Sequence, residues 1–140
     1  MPTTDLDRDH VALGEQESLR LLHTTTIGRV AYSQAALPAI RAVSYMLRDG
    51  AVVIPARAGS ALAQAARGAV VAFEADSYDQ AARTGWCVTV VGPSRVVAVG
   101  RSQDPDVCLV VVQVGLVRGW RTTLSNKVGD TAEPVPDACV

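Results

Sequence analysis

The stretch "PARAGSAL", Pro55 to Leu62, sets a guanidinium at Arg57, a glycine at Gly59 and a hydroxyl at Ser60 between an aliphatic run and an alanine-rich segment. That order fits a strand handing over to a helix, whose first amides are unpaired and point outward. Such a junction can cradle a phosphate, with Arg57 supplying charge and Ser60 a hydroxyl or a helix cap. Elsewhere Arg41 lies in mid-strand. Glu74 interrupts the apolar "VVAFEAD", where a buried carboxylate needs a cationic partner. Cys87, Cys108 and Cys139 form no CxxC pair, and His10 and His23 lack the spacing of a metal pair. Free, mostly buried thiols and no metal centre are the expectation.

Those groups need a scaffold, and the composition bounds it. The chain has 140 residues, enough for one domain with a real core. Apolar residues make up 49% and aromatic ones only 4%, so Val, Ala and Leu must build that core. The net charge of −1 and the mixing of signs along the chain leave no basic footprint for nucleic acid. Apolar runs fall short of a membrane-spanning length, and "MPTTDLDRDH" is too polar and acidic for a signal peptide. A cytoplasmic protein with neither a nucleic-acid nor a membrane partner is expected.

"GEQESLRLLHTTT" predicts a short helix that packs through Leu19 and Leu22, with Leu13 at its start. "IGRVAYS" and "ALPAIRAVSYMLRDG" read as strands, the second with Arg41, Val43 and Tyr45 on one face and Ile40, Ala42 and Ser44 on the other. Asp49-Gly50 signals a hairpin turn into "AVVIPA", where Pro55 belongs at a strand end or edge. Ser60 caps an inserted helix that stops at Gly68. "AVVAFEAD" is a strand and "YDQAART" a loop. "GWCVTVVGPSRVVAVG" is one long strand bent at Gly92-Pro93, and "VCLVVVQVGLVRGW" is the last strand. The result is a mainly β (α+β) domain over residues 1–140, with about six antiparallel strands closed or nearly closed into a barrel. Residues 1–12 and 126–140 read as flexible tails. Strands apolar on both faces leave one face for a second copy to cover, which predicts a homodimer.

The order of the motifs resembles the pyridoxamine 5′-phosphate oxidase-like proteins. A helix ending in "LL" is followed by a "GRV" strand, "LPAIRAV", "GS" before a helix, "VAFEAD" and "GWCV", and a weaker "VGLVRGWR" closes the match. The resemblance implies a six-stranded antiparallel split β-barrel, homodimeric, with FMN at the subunit interface and a flavin-dependent oxidoreductase activity on a small molecule. It implies a flavin laid along the strands holding Arg41, Val43, Ser44 and Ile54. The phosphate would be gripped near Arg57, Ser60 and Ala61, and Trp86 would stand close by, at the interface or in the core.

The chain departs from that pattern at the phosphate end. Pro55 and Ala56 stand where many relatives have Arg and Thr, and Ala61 where many have Lys. Each lost charged contact costs ~1.5–3 kcal/mol, or about one to two decades of affinity. "RSQDPD" replaces a longer excursion between the last strands, Cys87 stands where Ser is common, and Val91 where a basic residue is common. Arg41 has two readings, a contact with the flavin or a pair with Glu74 or Asp76. The alternative to a flavin enzyme is a non-catalytic split-barrel dimer that has lost FMN or holds another ligand, such as a deazaflavin.

Overall fold

The computed structural model describes residues 10–99 and 104–123. The elements run β1 (His10–Leu13), α1 (Glu15–Leu22), β2 (Ile27–Gln34), β3 (Leu37–Ser44), β4 (Met46–Arg48), β5 (Ala51–Arg57), α2 (Ala61–Ala65), β6 (Val70–Asp79), β7 (Thr84–Ala98), β8 (Val107–Gln113) and β9 (Leu116–Thr123). Hydrogen-bonded order is β3-β2-β6-β7-β8-β5-β4, with β9 on the first half of β7 and β1 on β9. Every pairing is antiparallel. β7 is the shared strand. Its first part pairs with β6 and β9, and residues Ser94 to Ala98 pair with β8. The two ends of the order, β3 and β4, are joined only through Tyr45, so the sheet curls without closing. This is a split β-barrel.

Nine strands are present where about six are expected from the pattern of apolar runs. "ALPAIRAVSYMLR" breaks at Tyr45, where the chain leaves one half of the barrel for the other. "VCLVVVQVGLVRGW" breaks at Val114 and Gly115. A Cβ on Gly92 would lie 1.8 Å from the Gln113 carbonyl oxygen, so two backbones cross in contact at this corner. The third addition is β1, which pairs with β9 and so shortens the N-terminal tail expected over residues 1–12. The tail expected over 126–140 lies outside the described residues, as does the first half of "RSQDPD".

Local turn chemistry explains the hairpins. Asp49 and Gly50 both take positive φ between β4 and β5, as their types predict. The β2–β3 hairpin makes the same kind of turn with two alanines, Ala35 and Ala36, at φ 49 and 64, which no composition signal announces. In "YDQAART" the strands run further than expected, to Asp79 and from Thr84. The Asp79 carboxylate caps the tip by accepting from the amides of Ala81 and Ala82.

The core is aliphatic around one aromatic pair. Phe73, Leu22, Ile54, Leu62, Val30, Val88, Val90 and Val110 are fully buried. Tyr45 meets Phe73 edge to face with ring centroids 4.7 Å apart. The Tyr45 hydroxyl donates to the Leu22 carbonyl at 2.6 Å, so α1 is tied to the residue where the chain changes halves. No helix among the described residues is long and apolar enough to cross a membrane.

Candidate functional site

The split in the barrel leaves two strand edges open towards each other. β3 ends the hydrogen-bonded order, so its outer edge has no partner strand among the described residues. β4 covers β5 only from Ala51 to Val53, and beyond that point the β5 edge is free. Pro55, which cannot donate to a ladder, sits on this uncovered stretch. Between the two edges lies a groove of about 200 Å³ lined by Arg41, Val43, Ser44, Pro55, Arg57 and Ser60, among others. It runs into a second depression of about 350 Å³, lined by Thr26, Tyr45, Met46, Arg48, Val53 and Leu109. Ser44 and Pro55 line both, so the two form one trough. One end carries two guanidiniums and a hydroxyl. The other is mostly apolar, with a single guanidinium.

Five of the expected site residues therefore meet: Arg41, Val43, Ser44, Arg57 and Ser60. Three do not line the trough. Ile54 is fully buried, because the alternation of β5 sends Val52 and Ile54 into the core and Pro55 and Arg57 away from it. Trp86 is buried in the same core, on the inward phase of β7 with Val88 and Val90, so it is a core aromatic and not a wall of the trough. Ala61 opens α2, half-buried and outside the lining.

Arg41 does not pair with Glu74 or Asp76. Those carboxylates take Arg29, at 3.3 and 3.5 Å. Register explains this: Arg29 lies opposite Glu74, whereas Arg41 lies opposite Val30, on the other face of the sheet. The face that carries Val30 is the core face, and where the barrel is split Arg41 emerges from it into the groove.

The "PARAGSAL" turn is partly self-satisfied. The Ser60 hydroxyl donates to the Arg57 carbonyl at 2.7 Å and accepts from the Ala63 amide at 3.2 Å, so it caps α2. The Arg57 guanidinium is 2.9 Å from the Asp104 carboxylate. A ligand phosphate would compete with Asp104 for Arg57, while Arg41 makes no ion pair among the described residues.

On the opposite face of the sheet, Glu74, Asp76 and Cys87 cluster around Arg29 and Thr89. Burial, then Asp76, raises the Glu74 carboxyl above its usual range, with Arg29 opposing. Burial, then Glu74 and Asp76, pushes the Cys87 thiol up to about 11. Cys87 and Cys108 are free, and Cys139 lies outside the described residues. No group of three metal-ligating side chains occurs among the described residues.

Tyr45, Met46, Arg48 and Leu109 are wall residues that sequence reasoning missed. They come from the chain switch, the short β4 and the distant β8. Only the strand break at Tyr45 would have exposed them, and the unbroken alternation of Val43, Tyr45 and Leu47 hides it.

Comparison with known proteins agrees with this architecture. The family model described as pyridoxamine 5′-phosphate oxidase matches residues 14–133. The chain belongs to that family, whose split barrel it shares. It is 43% identical to an uncharacterised Mycobacterium tuberculosis protein, Rv0080, over 86% of this chain and 90% of that one. Among solved structures it resembles an FAD-binding protein from Mycobacterium smegmatis at a TM-score of 0.70, with 26% identity, covering 81% of this chain and 99% of that one. An FAD- and haem-binding protein from the same organism shares the fold at a TM-score of 0.66 and 12% identity, covering 94% and 90% of the two chains.

Proposed function

We propose that this protein binds a flavin in the trough between β3 and β5 and acts as a flavin-dependent oxidoreductase on a small molecule. The observation that carries this reading is the trough itself, apolar at one end and cationic at the other, with unpaired strand edges along its walls. The flavin phosphate is held by Arg41, the open cation, with Arg57 contributing when it leaves Asp104. The ring system lies along the free strand edges at Ser44 and Pro55, where backbone amides and carbonyls and the Ser44 hydroxyl can meet its polar rim, and the apolar end beyond it stays open for the substrate. Bound flavin would supply the redox chemistry, accepting and returning two electrons as a hydride equivalent. The chain's own residues orient the ring and the substrate and keep water from the apolar end.

The trough lies open between two strand edges, whereas ligand pockets usually bury most of the bound ligand. A second copy of the chain deepens it. Its seat is the outer face of β4, β5, β8 and β7, where Met46, Val53, Val111, Leu109 and Val97 lie in adjoining register rows. FMN is the expected form. FAD is the second form to test, because the Mycobacterium smegmatis relative is an FAD-binding protein.

A competing reading, a split-barrel dimer without flavin chemistry, is favoured by the engagement of Ser60 and Arg57 within the turn. Titration of the purified protein with riboflavin, FMN and FAD, followed by visible absorbance and fluorescence quenching, separates the two. The flavin reading expects FMN or FAD to bind at least about tenfold tighter than riboflavin, the scale of one charge-assisted hydrogen bond. Equal and weak binding of all three overturns it.

A further inference from the structure

The trough's apolar end contains one charge that the flavin reading leaves unused. Arg48, on the short edge strand β4, lines the depression formed by Thr26, Ser44, Tyr45, Met46, Val53, Pro55 and Leu109. The phosphate-end cations are far from it. Arg48 lies opposite Ala51 and Arg57 ends the same strand, so about 3.3 Å per residue sets roughly 20 Å between the two positions. Arg48 makes no ion pair or hydrogen bond to another described side chain. Among the described residues, Arg20, Arg29, Arg57 and Arg121 each have a carboxylate within 4 Å, whereas Arg48 shares its lack of one with Arg41, Arg67, Arg95 and Arg118, and of these five it alone lines this depression. Asp49, next in the chain, does not line the depression. An unneutralised guanidinium beside apolar walls focuses its field on whatever enters.

We infer that the apolar depression takes a small planar anion, a carboxylate or similar acid, whose charged group is held by Arg48 while its body lies against Met46, Val53 and Leu109. As the substrate site of an oxidoreductase, this inference rests on the flavin reading above, but its binding chemistry can be measured without flavin. Arg48 then acts as a specificity residue, through a forked contact that Lys reproduces only in part.

The test uses sodium benzoate and its neutral analogue benzamide as probes. Binding is followed by the methyl resonances of Met46 and Leu109 in the flavin-free protein, and by the visible spectrum in protein loaded with FMN. Wild type should bind benzoate about tenfold tighter than benzamide, a preference that shrinks as salt is added. Arg48→Gln should abolish the preference with benzamide affinity unchanged, and Arg48→Lys should retain part of it. Equal affinity for both probes in wild type, a preference that survives Arg48→Gln, or binding of neither probe overturns the inference. If no flavin binds but the benzoate preference follows Arg48, the flavin reading fails and the anion site stands. If flavin binds and Arg48→Gln leaves the preference intact, the reverse holds.

Discussion

Arg57 and Arg41 illustrate how far a residue's type carries an argument before its partners are known. Both have the charge for a phosphate, yet Arg57 is engaged by Asp104 and Arg41 is not. Asp104→Asn keeps an oxygen for the Asp106 amide and removes the charge that competes for Arg57. It should tighten FMN several-fold in a fluorescence titration while leaving riboflavin unmoved. Arg41→Ala should weaken FMN by about a decade, again with riboflavin indifferent. On the opposite face, Glu74 carries a pH dependence of definite sign. Its carboxyl titrates above 4.5 in the folded chain, so as pH rises from there the folded state holds a proton that the unfolded state has released, and stability falls. Glu74→Gln should flatten that fall in urea denaturation measured from pH 4.5 upward. The gain at neutral pH should be under about 1 kcal/mol, since the group is partly solvated. Cys87, with its thiol at about 11, is overwhelmingly protonated at pH 8 and should alkylate with iodoacetamide about a hundredfold more slowly than a free cysteine. Peptide mapping by mass spectrometry reads that rate separately from Cys108. The capping role of Ser60 was legible from sequence because capping is local chemistry. The freedom of Arg41 was not, because it depends on which strand lies beside β3 and in what register.

At the scale of elements, two breaks were hidden in different ways. Inward residues alternate without interruption through Val43, Tyr45 and Leu47, so nothing in the period marks the point where β3 gives way to β4. Between β8 and β9 the phase does slip. Val110, Val112 and Val114 face the core on one parity, and Val117 and the buried Gly119 on the other, with Gly115 at the slip. That signal was present in the sequence. It is easily overlooked because valine occupies both phases of the run. The corner it marks depends on Gly92, and Gly92→Ala drives a methyl into the Gln113 carbonyl. Overpacking of this kind costs about 1–3 kcal/mol, to be read from urea denaturation midpoints. The β2–β3 turn offers the opposite change. Replacing Ala35-Ala36 with Asn-Gly relieves two left-handed alanines and should stabilise the protein by about 1 kcal/mol.

For the whole molecule, the outer face of β4, β5, β8 and β7 decides what the trough can be. Met46 is exposed there, Val97 and Leu109 are half-buried, and Val53 and Val111 lie nearly covered beside them, while the sequence pattern predicts a second copy over strands apolar on both faces without saying which face it covers. Three of them, Met46, Val53 and Leu109, also wall the apolar end of the trough, so assembly and ligand binding are joined through them. Val111 lies on this face away from the trough's lining, which makes it the position that separates the two. Val111→Asp places a carboxylate in the centre of the proposed interface, opposite Arg95, whose guanidinium only partly offsets the cost of burying it. Sedimentation equilibrium should find wild type as a dimer at micromolar concentration and Val111→Asp as a monomer, with circular dichroism confirming that the variant is folded. If the second copy forms the missing wall, the folded monomer should also lose flavin affinity by more than a decade, although no trough residue has changed. A variant that stays dimeric moves the interface to another face. A monomer that binds flavin as tightly as wild type confines the site to a single protomer, with the open edges of β3 and β5 sufficient to hold it.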